Sequence, residues 1–371
     1  MNGRPSPYAE DGRIKIAQII GDAALGGVAA CLLNYYRFMD RGRYRFDFFT
    51  YGPSSFDERL HAVDNAARVF TLPRLDTRFY KAVPALTRAL REGGYAVVHS
   101  HMTTLSAFAL RAADKAGAAV RICHAHSTFD KQSDHYFVKA ALRPFAARRA
   151  TALMACGKLA AQNLYRERAD EAVILPNAID LERFAPGGEA EKRALGLSGR
   201  VLLFVGRFAP QKNLLFLLEA FAKARKEMPM TLVLVGAGPQ RGPLDALAAQ
   251  LKIGRDVRFV PPCDPAPYYA AADAFCLPSL YEGLPVVGLE AQAAGLHCLF
   301  SDKVTEDADA ARTAAFLPLD ADAWAEAMRG PLPKRADGAD KLRAAGYDIR
   351  REAARLPAFY DEQLRRAGLT L

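Results

Sequence analysis

The sequence predicts an α/β protein made of two doubly wound, parallel-sheet domains. Its 371 residues are more than one ordinary hydrophobic core accommodates, so two domains of ordinary size are expected. Short apolar segments alternate with helical stretches along the chain, which is the pattern of parallel sheets built from strand-helix units. A segment rich in glycine and charge, at 177–199, separates two such series. We therefore place the boundary near residues 177–195, with domains at 1–180 and 181–354.

The strands are predicted from apolar runs bounded by turn residues. The first series is expected at 13–20, 44–50, 96–102, 120–127, 151–157 and 172–177. The second series is expected at 200–206, 231–236, 257–261, 274–279 and 297–301. Because ligands of open α/β sheets gather at the carboxyl ends of strands, functional residues are expected there, and two such domains facing each other would form a cleft.

Composition and charge limit the class of partner. The chain is 51% hydrophobic and 25% charged, and its net charge of +9 suits nucleic acid, an anionic membrane or a phosphorylated small molecule. Nucleic acid is disfavoured because no aromatic-interleaved recognition motif accompanies the charge. The stretch at 135–166 contains basic residues and no acidic one. It is either a patch that lies on anionic lipid or the solvated face of a surface helix.

The sequence gives no sign of membrane insertion or of disulfides. The first residues, MNGRPSPYAEDGR, lack the apolar core of a signal peptide, and no later run approaches a membrane span. The six cysteines contain no C-x-x-C pair, so we expect small core residues in a reducing cytoplasm. They are Cys31, Cys123, Cys156, Cys263, Cys276 and Cys298.

The segment at 280–295, LYEGLPVVGLEAQAAG, carries the strongest functional signal. An apolar strand precedes it, Gly283 and Pro285 make a turn, and the following residues have helical composition. Pro285 suits the first turn of a helix that begins near Leu284. Because a helix start offers unpaired backbone N–H groups and the positive end of the helix dipole, we expect a phosphate to bind there.

Glu282 and Glu290 flank this helix start, with seven residues between them. Helical side chains lean toward the N-terminus, so the Glu290 carboxylate is expected to point back toward the ligand. A second anion beside a phosphate would be repelled, so Glu290 is better suited to accept hydrogen bonds from a ribose diol. Alternatively, Glu290 is a solvated helix residue and Glu282 only complements the helix dipole.

Other strand ends offer groups for the same ligand. Gly26 and Gly27 follow the first strand and precede a helix, so their backbone could approach a diphosphate or a sugar closely, although such loops are often only turns. Gly236 and Val260 end two strands of the second series, and we expect these strand ends to wall the nucleotide base.

Two cationic residues lie on the loop that opens the second domain. Arg207 and Lys212 are five residues apart in VGRFAPQKN. A guanidinium can hold two phosphate oxygens as a fork, and an ammonium supplies a compact charge. Surface cations are usually only solvated, but the position after a strand favours diphosphate binding.

Two pairs of histidines end adjacent strands, His99 with His101 and His124 with His126. Alternate residues of a strand share one face, but no nearby Asp or Cys completes an obvious ligand set, so we predict no metal. His99, His101 and His124 are expected to be polar strand-end residues satisfied by the backbone.

The string at 280–295 and the downstream SDKVTED resemble the E-x7-E signature of the retaining family-4 glycosyltransferases, and capsule and exopolysaccharide members in particular. The glycine loop and the G-R-x-x-x-x-K of the second domain match the same family. The resemblance implies the GT-B fold, with two Rossmann-like domains facing across a cleft. It also implies an acceptor-binding first domain, a nucleotide-sugar-binding second domain, and a terminal helix at 355–371 that crosses back to the first domain.

The resemblance also implies roles for individual residues. His126 would contact the donor sugar near its reacting carbon, Glu282 would orient sugar hydroxyls, and Arg207 with Lys212 would stabilise the departing diphosphate. The sugar would be transferred with retention of configuration, without a cofactor or metal. Ala29 and Ala30 stand where many relatives carry Glu and Arg, which is a departure from the family pattern.

We therefore expect a glycosyltransferase that moves a sugar from a nucleotide-diphosphate sugar, UDP-linked, to a lipid-linked or growing cell-surface polysaccharide. It would act in the cytoplasm or on the inner face of the cell membrane. Two alternatives stay open. A GT-B-fold UDP-sugar epimerase would need no acceptor, and Ala29 with Ala30 leaves room for a nucleotide-sugar-binding protein without catalysis.

Overall fold

A computed structural model of the chain describes residues 5–21, 27–52, 56–74, 79–129, 135–335 and 338–369. The chain forms two compact units. The first consists of Met1–Ala178 with Ile349–Leu371, and the second of Ile179–Asp348. Each unit contains one parallel sheet with helices, so the predicted doubly wound α/β class is confirmed. The arrangement of the units relative to each other stays a prediction.

The first unit is built on a seven-stranded parallel sheet. Its strands are β1 (Ile14–Gly21), β2 (Tyr44–Tyr51), β3 (Val69–Leu72), β4 (Val97–Ser100), β5 (Val120–Ala125), β6 (Ala152–Ala155) and β7 (Val173–Ile174). They are ordered β3-β2-β1-β4-β5-β6-β7, and Ile16 in the centre pairs with Phe46 on one side and Val97 on the other. The six predicted strands are all present. The unpredicted β3 is a short edge strand whose side chains are mostly half-buried.

The second unit is built on a six-stranded parallel sheet. Its strands are β8 (Arg200–Val205), β9 (Met230–Val235), β10 (Val257–Val260), β11 (Ala274–Leu277), β12 (His297–Ser301) and β13 (Ala314–Leu317). The order is β10-β9-β8-β11-β12-β13. The five predicted strands are present, and the unpredicted β13 is again an edge strand that is half-buried. The strands β8, β9 and β11 in the centre of the second sheet are buried along almost their whole length, as expected for a parallel sheet covered on both faces.

Helices connect successive strands in both units. In the described residues of the first unit they are α1 (Gly27–Phe38), α2 (Phe56–His61), α3 (Phe79–Gly93), α4 (Ser106–Ala116), α5 (Tyr136–Ala146) and α6 (Lys158–Tyr165). The second unit contributes α7 (Glu189–Ala194), α8 (Leu214–Arg225), α9 (Arg241–Gln250), α10 (Ala266–Ala271), α11 (Val286–Ala293), α12 (Ala321–Arg329) and α13 (Gly338–Ala344). The chain ends with α14 (Ile349–Glu352) and α15 (Arg355–Arg366).

The terminal helix α15 packs on the first unit, which confirms the predicted return of the tail. Leu356, Tyr360 and Leu364 are buried in the same apolar cluster as Phe46 of β2. The Tyr360 ring meets that of Tyr44 edge-on, with centroids 5.5 Å apart. The first domain is therefore completed by residues far away in the sequence.

The glycine-rich segment at 177–199 contributes to the core of the second unit and does not serve only as a connection between the units. Leu181, Phe184 and Leu197 are buried in the core of the second unit, and α7 forms within the segment. The division between the units falls at residue 178, where the segment has hardly begun.

The structure tests the expectation that the cysteines are core residues. Five cysteines are buried, but Cys263 is exposed, so the expectation of six core thiols was wrong for that residue. Cys263 lies between β10 and α10, on a loop rather than in an apolar run.

Among the helices of the described ranges, none is both long and apolar enough to span a bilayer.

Removing side-chain volume from the α15 contact should destabilise the first unit. Leu356 is fully buried, so Leu356→Ala should lower the free energy of unfolding by roughly 3 kcal/mol through lost burial and a residual cavity. Urea unfolding followed by far-UV circular dichroism measures this. Leu159→Ala, at a site that is 44% exposed, is the matched control and should change little. Equal effects of the two substitutions would contradict the packing described for α15.

Candidate functional site

The predicted strand, loop and helix at 274–295 are present in the second unit. β11 ends at Leu277, and α11 begins at Val286 after an extended Pro285 that occupies the N-cap position. The first backbone N–H groups of such a helix have no partner within the helix. Since the strand order places β11 beside β8, the loops after these two strands are neighbours at one edge of the sheet.

Glu282 is held on the loop before α11 by several partners. Its carboxylate forms an ion pair with the Lys212 ammonium and accepts a hydrogen bond from the Ser279 hydroxyl at 2.6 Å. The side chains of Glu282 and Lys212 are only 9% and 16% exposed. The alternative in which Glu282 only complements the helix dipole does not account for these partners.

Gln211 joins the two loops that carry this ion pair. Its side-chain nitrogen donates to the Tyr281 carbonyl at 2.8 Å and lies 3.4 Å from a Glu282 oxygen. The backbone carbonyl of Gln211 accepts a hydrogen bond from the Leu280 N–H at 2.8 Å. The position of the Glu282 carboxylate is therefore fixed by backbone contacts as well as by charge.

Glu290 lies in the second turn of α11 and forms no ion pair with the residues that the structure describes. The Tyr269 hydroxyl lies 3.0 Å from a Glu290 oxygen and 3.1 Å from the Val287 carbonyl. Burial raises the pKa of the half-buried Glu290 carboxyl to about 7, against the opposing effects of the Tyr269 hydrogen bond and of Arg183. Glu290 is thus not the freely solvated glutamate of the alternative interpretation.

Arg207 differs from Lys212 although both follow β8. The Arg207 side chain is exposed and forms no ion pair or side-chain hydrogen bond with any residue that the structure describes. Lys212 ends a 3-10 turn at Pro210–Lys212 and is committed to Glu282. The loop therefore presents one uncompensated guanidinium and one ammonium that is already paired.

Gly236 and Val260 end neighbouring strands of the second sheet, and the Gly236 N–H donates to the Val260 carbonyl at 2.9 Å. Gly236 has a φ of +150°, and a Cβ at that position would lie 1.9 Å from the Gly206 carbonyl oxygen. Only glycine fits here, because the backbones after β8 and β9 nearly touch. The Val260 side chain is buried in the core, so only its backbone is available to a ligand.

In the first unit the predicted glycine loop is partly described. Gly27 is exposed and begins α1, whereas Gly26 lies outside the described residues. Ala29 is buried and Ala30 half-buried on α1, so the small residues at these positions pack as part of the helix.

The four strand-end histidines form one cluster. His101 Nδ1 lies 2.8 Å from His126 Nε2, and His99 Nε2 lies 3.1 Å from His124 Nδ1. The expectation that the backbone satisfies His99, His101 and His124 was therefore wrong, because the rings pair with one another and with other side chains. Burial lowers the pKa of all four imidazoles, that of His126 to about 4, so they are uncharged near neutral pH.

Metal binding has one geometric candidate in the described part of the chain. Nitrogens of His99, His101 and His124 lie within 4.8 Å of one another. The predicted lack of a metal stays a prediction. The chain also contains two Asp-x-Asp sequences, at 307–309 and 320–322. Asp309 accepts backbone N–H bonds from Thr313 and Ala314, and Asp320 caps α12, so both carboxylates have structural contacts.

The basic stretch contains a helix whose apolar side chains face solvent. On α5, Phe137 is 85% exposed, Val138 55% and Phe145 51%, and Ala146 alone among the helix residues is buried. Three of the seven large apolar side chains that are exposed in the described part of the chain therefore lie on this helix.

Sequence reasoning missed the partners that hold these groups. Tyr269, Ser279 and Gln211 contact the two glutamates, and Gln18 with Tyr360 contacts the histidines. Ser279 was within reach of prediction because it lies three residues before Glu282. The others come from separate elements, and no spacing in the sequence indicates them.

Two family models match the chain. The model described as Glycosyltransferase Family 4 matches residues 25–183, and the model described as Glycosyl transferases group 1 matches residues 199–332. Among solved structures, Anabaena HepE in complex with UDP and glucose superposes with a TM-score of 0.75 at 18% identity, covering 94% of this chain and 99% of HepE. That likeness shows a shared fold.

Two sequence relatives cover most of the chain. A galactosyltransferase of Escherichia coli, named UDP-Gal:alpha-D-GlcNAc-diphosphoundecaprenol alpha-1,3-galactosyltransferase, is 28% identical over 312 residues, which are 78% of this chain and 80% of the relative. EpsF of Bacillus subtilis (strain 168), named as a glycosyltransferase, is 34% identical over 374 residues, covering 94% of this chain and 96% of EpsF. Together with the E-x7-E segment at the start of α11, this similarity shows that the chain belongs to the family-4 glycosyltransferases of GT-B fold.

Proposed function

We propose that this glycosyltransferase moves a hexose from a UDP-sugar to a lipid-linked or growing cell-surface polysaccharide, with retention of configuration and without a metal. The observation that carries the proposal is the half-buried Lys212–Glu282 pair beside the start of α11, with Glu290 one helical turn further on. The Escherichia coli relative, whose name specifies a UDP-sugar donor and a diphosphoundecaprenol acceptor, supports the choice of both substrates.

The diphosphate of the donor would bind at the start of α11. Arg207 is exposed and uncompensated, so its guanidinium is available to hold two phosphate oxygens. Lys212 has three N–H groups and shares its charge with Glu282, so it would hydrogen-bond a phosphate oxygen while staying fixed in place. These groups and the helix N-terminus would stabilise the charge that develops on the leaving diphosphate.

The nucleoside would be recognised by Glu290 and the neighbouring strand ends. A carboxylate accepts hydrogen bonds from both hydroxyls of a ribose diol, and the Tyr269 hydroxyl holds it in position. The close backbones at Gly236 and Val260 would then wall the base.

The transferred sugar would be oriented by two groups. Glu282, whose carboxylate is fixed by Lys212 and Ser279, would accept hydrogen bonds from sugar hydroxyls. His126 would contact the sugar near the reacting carbon, with Gly26 and Gly27 contributing backbone N–H groups, as the family resemblance implies. The leaving phosphate would take the acceptor's proton on the same face of the sugar, which gives retention.

The acceptor would be reached from a membrane surface. The exposed Phe137 and Val138 lie in the first turn of α5, and this helix belongs to a stretch that contains basic residues and no Asp or Glu. Apolar side chains that enter the headgroup region, flanked by cations, bind anionic lipid surfaces. We therefore place the enzyme on the inner face of the cell membrane.

A donor and acceptor panel tests the proposed function. The protein is incubated with UDP-, GDP- and ADP-sugars, with and without a membrane lipid extract, and with excess chelator in a parallel set. UDP release that requires lipid and survives the chelator is expected. Conversion of the donor without an acceptor would indicate an epimerase, and tight binding without turnover a binding protein.

Removing the cation at position 207 should slow transfer more than it weakens binding. Arg207→Ala should lower kcat by roughly a hundredfold, because its charge matters most when the diphosphate departs. Steady-state kinetics with the active donor measures this. The matched control is Lys223→Ala, which removes an exposed surface cation from α8 of the same unit. A normal kcat in Arg207→Ala would contradict the assignment.

Donor affinity should depend on pH through Glu290. Its pKa is raised to about 7, so the carboxylate that accepts ribose hydroxyls forms as pH rises through that value. Binding of UDP-galactose, whose diphosphate diester does not titrate here, should be about tenfold weaker at about pH 6 than at about pH 8 by proton linkage. Calorimetry measures the affinity. Glu290→Gln should bind weakly at both values, and a Gln variant that keeps the slope would contradict the assignment.

Membrane association should require the exposed end of α5. Flotation with vesicles that contain anionic lipid should recover the protein, and Phe137→Ser should reduce partitioning roughly tenfold because an apolar side chain no longer enters the headgroup region. Val173→Ser, on an exposed edge strand, is the matched control. Binding that ignores both lipid charge and salt would contradict the assignment.

A further inference from the structure

Six side chains of the first unit form one buried hydrogen-bonded network. The four histidines at the ends of β4 and β5 are joined by Gln18 of β1 and Tyr360 of α15. All six are fully or almost fully buried. Buried polar groups are costly unless each finds a partner, so the contacts of this network restrict where its protons lie.

The network divides into two arms at the Gln18 carboxamide. In one arm Gln18 Oε1 lies 2.8 Å from His101 Nε2, and His101 Nδ1 lies 2.8 Å from His126 Nε2. In the other arm Gln18 Nε2 lies 3.0 Å from the Tyr360 hydroxyl, which lies 2.9 Å from His99 Nδ1. His99 Nε2 then lies 3.1 Å from His124 Nδ1.

Each ring in these arms has one donor and one acceptor, because burial keeps the imidazoles neutral. With the Gln18 oxygen toward His101, His101 must donate through Nε2 and accept at Nδ1, so His126 also donates through Nε2. With the Gln18 nitrogen donating to Tyr360, the Tyr360 hydroxyl donates to His99. His99 then donates through Nε2 to His124, whose proton is also on Nε2.

Turning the carboxamide over reverses every contact. The Gln18 nitrogen then donates to His101, His101 donates through Nδ1 to His126, and His126 carries its proton on Nδ1. In the other arm Tyr360 donates to Gln18 and accepts from His99 Nδ1. Pairing of the contacts within the network therefore permits two arrangements, with all four protons on Nε2 or all four on Nδ1. His124 Nε2 and His126 Nδ1, at the ends of the two arms, have no hydrogen-bond partner among the described residues.

We propose that Gln18 sets the tautomers of all four histidines as one unit and, through His101, is a positioning residue for His126. The inference rests on the proposed function, in which His126 contacts the donor sugar. Gln18 thereby decides whether His126 offers a bare Nδ1 or an N–H at that position. Asn177, buried beside His126, has a side-chain oxygen without a hydrogen bond to the described residues. The Nδ1–H arrangement would satisfy it.

The tautomers can be measured directly by NMR. Full-length protein labelled with ¹⁵N-histidine is examined at neutral pH, and each ring is assigned by single substitution. His99, His101, His124 and His126 should be uncharged and share one tautomer. Either shared tautomer supports the coupling, whereas mixed tautomers or a charged ring would overturn it.

Substitution then separates positioning from packing. Gln18→Met keeps the volume but removes both contacts, so the His126 ring should populate both tautomers and kcat should fall about fivefold at unchanged donor KM. Tyr44→Phe is the matched control, since it removes a hydroxyl beside Tyr360 that contacts Asp361 and not the network. If Gln18→Met does not fold, the wild-type spectrum still decides the matter.

Two further results separate this inference from its rivals. Titration with Zn²⁺ or Co²⁺ should give no stoichiometric binding, because both ring nitrogens of His99 and of His101, and Nδ1 of His124, already pair. Tight binding lost in His99→Gln and His124→Gln would make the cluster a metal site and overturn the network. If no UDP-sugar is turned over while the four rings share one tautomer, the proposed function fails and the network stands.

Discussion

The parallel direction of the strands is the constraint on which the rest of the structure depends. Every strand of a parallel sheet ends at the same edge, so the residues that follow neighbouring strands are brought together however far apart they lie in the chain. In the second unit this places the loop after β8 beside the loop after β11, which unites Lys212 with Glu282. In the first unit it places the residues after β4 beside those after β5, and the four histidines become neighbours.

Burial at these edges determines the charge of each group. Glu282 and Glu290 flank the same helix start, yet their surroundings differ. Glu282 meets an ammonium, which compensates the cost of removing its charge from water. Among the described residues, Glu290 meets the neutral Tyr269 hydroxyl at close range, so burial prevails and its pKa is raised to about 7. The two carboxylates near one helix start are thereby suited to different tasks, Glu282 as the partner of Lys212 and Glu290 as a group that titrates near neutral pH.

The fold and the loops of the site could be predicted from local pattern, whereas the partners of the site residues could not. The central strands were predicted from their buried apolar runs, whereas the edge strands β3 and β13, in which only Leu72 is buried, were missed. Glu282, Glu290, Arg207 and Lys212 follow from motif spacing. Gln18 and Tyr360 lie 342 residues apart, and only the return of α15 to the first unit brings them into contact. No periodicity in the sequence indicates such a contact.

The neutrality of the histidines limits what His126 can contribute to catalysis. Its pKa of about 4 means that it carries no positive charge at neutral pH, so it does not stabilise a departing phosphate as a cation would. In the proposed mechanism that task falls to Arg207, Lys212 and the start of α11, which have charge or a dipole available. A neutral imidazole instead contributes direction, because its hydrogen bond is defined by which nitrogen holds the proton. If His126 contacts the donor sugar as proposed, the orientation of a single buried carboxamide, that of Gln18, has consequences for the reacting sugar.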